Sequence, residues 1–273
     1  MNHRITKGLA LLVALALVAV PLAAQEPTVE ELIEKNLEAK GGRDAWEAVE
    51  SARIEGTMSF GPQEAPFLYQ WKAPDKVRIE FTLQGMTGVQ AYDGETGWLV
   101  MPFMGKTEPE KMSPEDALQI KNDADFRGPL VNPEEKGYEI ELMGEQEVEG
   151  TPAYELKVTN EDGDISYLYL DKEFYVEIQR VDQRTIRGQE VESIASIGDY
   201  KEVAGIMVPH STEVRSSLAP EGQGGQTMTF QKVELNVDIP DETFEMPETA
   251  PSSDMEGEME MDEEMEGGEE PPR

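Results

Sequence analysis

The polar and apolar positions alternate most regularly between Phe67 and Phe103. Phe67, Tyr69 and Trp71 fall on one side of a two-residue period, followed by Val77, Ile79, Phe81 and Leu83. Gln70, Lys72, Arg78, Glu80 and Thr82 fall on the other. Successive side chains on a strand point to opposite faces, so the pattern predicts a sheet with one polar and one aromatic face. Lys72-Ala73-Pro74-Asp75, Gln84-Gly85 and Asp93-Gly94-Glu95-Thr96-Gly97 punctuate it. The same signal predicts strands near 51–60, 66–73, 76–84, 87–93 and 96–102, then near 138–148, 152–160, 164–171, 174–183, 188–202, 206–216 and 226–238. Glu161-Asp162-Gly163 marks a hairpin turn. Tyr154, Leu156 and Val158 alternate with Glu155, Lys157 and Thr159, and Tyr167 and Tyr169 continue the aromatic theme.

Helical signals are few. Thr28 and Glu31 have capping-box spacing, and Val29, Leu32, Ile33 and Leu37 follow on one face. Gly41-Gly42 ends that helix, and a second short one carries Ala45, Trp46 and Val49. Ser113-Pro114-Glu115-Asp116 opens a third, running to about Phe126. Many strands joined by short turns, with little helix, predict a mainly β chain. Its form is a strongly curved antiparallel sheet, an incomplete β-barrel with short helices as a lid. Helical cover this small leaves room for a hydrophobic cavity rather than a filled core. The expected lining is Phe67, Tyr69, Trp71, Val77, Ile79, Phe81, Trp98, Tyr154, Leu156, Tyr167 and Tyr169, with Leu32, Ile33 and Trp46 in the lid. Phe244 and Met246 form a closing apolar hook.

The ends modify this picture. His3, Arg4 and Lys7 precede an apolar run from Leu9 to Val20 and the small residues before Gln25. This reads as a signal peptide over 1–24, cleaved after Ala24, and predicts a soluble periplasmic protein. The domain is expected over 25–247. From Glu248 onward eleven carboxylates, four methionines and one basic residue predict a disordered acidic tail over 248–273. Met255, Met259, Met261 and Met265 also raise soft Cu(I) ligation as an alternative for that tail.

Composition narrows the chemistry. With no cysteine there is no disulfide framework, thiolate metal site or lipoprotein anchor. A net charge of −34 disfavours nucleic acid and anionic membrane surfaces as partners. His210, in Val208-Pro209-His210-Ser211, lacks a Gly-x-Ser-x-Gly elbow and reads as a strand-edge histidine. Gly222-Gln223-Gly224-Gly225 reads as a turn, not a phosphate cradle.

Trp71-Lys72-Ala73-Pro74, Asp93-Gly94-Glu95-Thr96-Gly97-Trp98 and Pro102-Phe103 resemble the LolA/LolB-like periplasmic lipoprotein carrier family, which includes outer-membrane lipoprotein-sorting proteins. Gly41-Gly42, Ala45-Trp46, Tyr200, Gly205, Val208-Pro209-His210 and Phe244-Glu245-Met246-Pro247 extend the resemblance. It implies a barrel that takes lipoprotein acyl chains or another lipid, membrane-associated donor and acceptor proteins, and no catalysis or cofactor. A monomer that is not an enzyme is expected. The family's best-known carrier has an arginine before the matching proline that helps close the lid. Ala73 stands here, so that lock does not carry over. The alternatives are an envelope sensor or interaction module of the same fold, or a small-molecule enzyme using the cavity.

Overall fold

A computed structural model describes residues 26–61, 63–186, 188–218 and 225–249. The leader, the tail from 250 onward with its methionines, and most of the Gly222–Gly225 turn lie outside the described residues.

Helices α1 (Val29–Ala39) and α2 (Arg43–Glu47) open the chain. Strands β1 (Ser51–Phe60), β2 (Gln63–Lys72), β3 (Lys76–Leu83), β4 (Met86–Tyr92), β5 (Gly97–Met101) and β6 (Lys106–Lys111) follow. Helix α3 (Pro114–Asp123) then leads to β7 (Glu139–Val148), β8 (Thr151–Thr159), β9 (Ile165–Asp171), β10 (Glu177–Ile186), β11 (Gln189–Val203), β12 (Ile206–Ser216) and β13 (Gln226–Leu235). All thirteen strands form one antiparallel sheet in the order β6-β5-β4-β3-β2-β1-β13-β12-β11-β10-β9-β8-β7. Two up-and-down runs are thus joined where β1 pairs with the final strand. The sheet does not close, because β6 and β7 remain its two edges. Both edges are dense in charge: β6 reads KTEPEK and β7 EIELMGEQEV, with an irregular register near Gly144. Charged, irregular edges resist pairing with further strands.

Strand β6 lacks apolar alternation, which is why periodicity misses it; Pro109 fits an edge strand. Strand β10 begins three residues later than the pattern predicts. The Asp171 carboxylate accepts the amides of Glu173 and Phe174 at 2.7 and 2.8 Å, holding those residues in a turn.

The capping box at α1 forms: Thr28 Oγ1 accepts the Glu31 amide at 3.2 Å, and Glu31 Oε2 accepts the Thr28 amide at 3.0 Å. The main core packs Leu32, Ile33 and Leu37 of α1, Trp46 and Val49, and Ile120, Ala124, Leu130 and Val131 around α3 against the inner sheet face. That face contributes Ala52, Trp71, Val77, Leu156, Leu168, Leu170 and Val208. The helices fill one end of the trough.

The outer face of the first half carries the expected polar side chains, among them Lys72 and Arg78, but part of it is apolar and covered. Val89, Ala91, Trp98 and Val100 form a separate buried cluster there, against which Met246 packs. The segment after β13 runs across it as a strap. Trp98 Nε1 donates to the Phe244 carbonyl at 2.7 Å, Arg78 Nη1 to the Thr243 carbonyl at 3.1 Å, and Lys72 Nζ to Asp241 Oδ1 at 2.6 Å. Phe244 itself is fully buried.

Candidate functional site

Beyond the helical cover, the inner face carries an apolar cavity of about 590 Å³ that opens to solvent. This lies within the roughly 300–1,000 Å³ of ordinary ligand pockets. Four elements build it by the same two-residue alternation. Strands β2 and β3 place Phe67 opposite Phe81 and Tyr69 opposite Ile79. Strand β1 adds Ile54 and Met58, and β13 adds Met228 and Phe230. Trp46 and Phe126 close the end nearest the core, while Val208, Pro209, Gln90 and Gln226 complete the wall.

One glycine sets the floor. Gly56 pairs with Phe67 on one side and Phe230 on the other. A Cβ there would lie 2.3 Å from the Thr229 carbonyl oxygen and 2.7 Å from the Phe67 ring. Glycine is the residue that lets the ring lie over the strand backbone.

Phe126 is the hub of the closed end. Its ring centroid lies 5.4 Å from that of Trp71, 6.3 Å from Trp46 and 6.4 Å from Tyr69. Trp46 is fixed through its indole, which donates to the Lys40 carbonyl at 3.0 Å. The same carbonyl accepts the Met207 amide at 3.0 Å, joining the α1–α2 turn to the β11–β12 hairpin. At Gly41, φ is +108° and a Cβ would stand 2.3 Å from the Gly205 carbonyl oxygen, so both conformation and space call for glycine. Lys40 Nζ sits 4.9 Å from the Trp46 ring centroid, and burial lowers its pKa while Glu177 acts in the opposite sense. Glu177 is pushed above the ordinary carboxylate range by burial.

Of the residues the alternation nominates, Phe67, Tyr69, Ile79 and Phe81 come together on the cavity, as does Trp46. Trp71, Val77, Leu156, Leu32 and Ile33 instead belong to the closed core beside it. Tyr154 packs on the edge of that core and stacks with Tyr175, centroids 6.3 Å apart. Three residues face away. Trp98 belongs to the outer cluster under the strap. Tyr167 and Tyr169 lie on the opposite face of β9 from the buried Leu168 and Leu170, and Tyr169 Oη donates to Glu155 Oε1 at 3.0 Å. Burial, followed by Glu155, raises the Tyr169 phenol to about 12.

Alternation could have offered Ile54, Met58, Met228 and Phe230, since each recurs at period two within its strand. Phe126, in the turn after α3, carries no periodic signal. Among the described residues, no group of three or more His, Asp or Glu side chains could hold a metal ion, and no helix is long and apolar enough to cross a membrane.

No protein-family model and no curated protein matches the chain. Solved structures do. A DUF1329 family protein from Desulfovibrio piger superimposes with a TM-score of 0.55 at 15% identity, over 80% of this chain and 97% of its own. A LolA superfamily protein from Nitrosomonas europaea gives 0.53 at 16% identity, over 81% and 98%. A domain described as an outer membrane lipoprotein-sorting protein, from Vibrio parahaemolyticus, gives 0.51 at 13% identity, over 78% and 97%. The antiparallel sheet that curves without closing around an apolar trough is therefore the LolA-like fold.

Proposed function

We propose that this chain is an acyl-chain-binding carrier that shields the hydrocarbon of a lipid or lipoprotein in the cavity between Phe67, Phe81, Met228, Phe230 and Trp46. The observation that carries the reading is the lining itself. The walls are aromatic and aliphatic, and their few polar groups are amides such as Gln90 and Gln226. Tyr69, Ile79, Phe81, Met228 and Phe230 remain only partly buried, so apolar surface on the inner face lacks cover. Each methylene moved from water into such a site is worth roughly 0.8 kcal/mol, so an acyl chain partitions strongly without any bond chemistry. Release then needs only a competing apolar site or displacement of the Trp46–Phe126 end.

A periplasmic location is in keeping with the signal-like leader, and the sorting-protein fold supports lipoproteins among its cargo. The cavity residues Phe67, Tyr69, Ile79 and Phe81 are its proposed contacts. Protein purified gently from its native host and extracted with organic solvent tests the reading. Mass spectrometry should find a stoichiometric acyl-bearing molecule. An extract free of lipid, from protein that also fails to take up added lipid, would contradict it.

A further inference from the structure

The apolar cavity has a polar neighbour on the same inner face. Arg180, Asp182 and Arg184 alternate along β10, so all three point into a cavity of about 280 Å³ that also meets Asp164, Tyr138 and Thr212. The two cavities share a boundary. Thr212 of the polar one pairs directly with Met228 of the apolar one across β12 and β13. Asp125 of the polar one precedes Phe126 of the apolar one in the chain.

The charges in the polar cavity are mixed. Lys136 Nζ donates to both Asp125 oxygens at 2.8 Å, which neutralises that carboxylate. Two guanidiniums, Arg180 and Arg184, then face two carboxylates, Asp164 and Asp182. Arg180 Nε donates to Asp182 Oδ1 at 2.8 Å, and Ser166 Oγ donates to the same oxygen. Burial, then Asp125, raises the Tyr138 phenol to about 12, so it stays a protonated donor. An acyl chain gains nothing here, because it would strip water from charged groups without replacing their hydrogen bonds. A purely anionic group would meet carboxylates as well as arginines.

We infer that the two cavities form one amphiphile site, in which the polar cavity takes a zwitterionic phosphate–ammonium headgroup of the lipid whose acyl chain fills the apolar cavity. The phosphate would lie toward Arg180 and Arg184 and the ammonium toward Asp164 and Asp182. This rests on the acyl-chain reading above and adds the class of lipid.

Three single-chain lipids with identical acyl groups test it: lysophosphatidylethanolamine, lysophosphatidic acid and a monoacylglycerol. Each is titrated against a fluorescent fatty acid bound to the wild-type protein. The ethanolamine lipid should displace the probe at a concentration at least about tenfold lower than either of the others, the worth of one charge-assisted hydrogen bond. Arg184→Gln should narrow that gap and Arg184→Lys should restore part of it, each read as the ratio between the three lipids on one protein. Equal displacement by all three, or tightest binding by the phosphate-only lipid, overturns the headgroup assignment and leaves the acyl-chain reading standing. Failure of the fatty acid to bind at all overturns both.

Discussion

Phe67 of β2 and Phe230 of β13 meet edge to face, ring centroids 5.9 Å apart and planes at 75°, although β1 runs between their strands. The contact exists because β1 contributes Gly56 at that level, so nothing separates the rings. Edge-to-face geometry favours such a pair by about 0.5–1.5 kcal/mol beyond its burial. The two halves of the sheet are thereby joined at the floor of the proposed acyl site.

Gly56→Ala tests that floor. The added methyl group would collide with the Thr229 carbonyl and the Phe67 ring, and the carbonyl is backbone that cannot swing aside. A loss of about 1–3 kcal/mol in urea unfolding is expected, together with weaker acyl-probe binding as Phe67 is pushed into the cavity. An unchanged affinity in a folded variant would detach Phe67 from the site.

Phe126→Ala removes the hub at the closed end. Because Phe126 is only partly buried, the cost should fall below the roughly 3–5 kcal/mol of a fully buried phenylalanine. The cavity should lengthen toward Trp71, so the longest acyl chain that binds should increase, measured by competition with a series of fatty acids.

Trp98→Ala separates stability from binding. Trp98 is fully buried on the outer face, and its indole holds the Phe244 carbonyl. A loss of about 3–5 kcal/mol is expected, with acyl-probe affinity retained below the melting transition. Selective loss of binding would return Trp98 to the cavity wall.

The strap should respond to acid. Hydrogen bonds from Lys72 and Lys76 lower the Asp241 pKa below its usual value. A depressed folded-state pKa means that this contribution is complete above the unfolded value near 3.8 and is lost as pH falls through the folded one. Asp241→Asn should therefore lower the melting temperature at neutral pH and converge with wild type at strongly acidic pH, followed by circular dichroism. Asp241 is exposed, so the shift should be small.

The fold was legible where only one strand face is apolar. Tyr69 and Trp71 alternate with Gln70 and Lys72, and Ile79 and Phe81 with Arg78, Glu80 and Thr82, so periodicity alone assigns their side. Alternation fails where both faces are apolar. In the β9 run Tyr167-Leu168-Tyr169-Leu170 a two-residue period cannot say which pair is inside, and the leucines take the core while Tyr169 reaches Glu155. Around Trp98 the second apolar face answers to a strap nearly 150 residues later, which no local pattern contains. Lid residues were recognisable as an amphipathic α1, but Leu32 and Ile33 are consumed by the core. Phe126 was hidden because the helix expected to reach it ends at Asp123, and the turn that follows has no period.

The most direct measurement is a fluorescence titration of purified protein with a polyene fatty acid, repeated for Phe81→Glu. Phe81 lines the cavity, so a carboxylate there would be buried against hydrocarbon whenever a chain is bound. Saturable binding to wild type, competition by a non-fluorescent fatty acid, and at least about tenfold weaker binding by a folded Phe81→Glu protein are expected. No saturable binding by folded wild type, or equal binding by the two proteins, would contradict the acyl-chain reading.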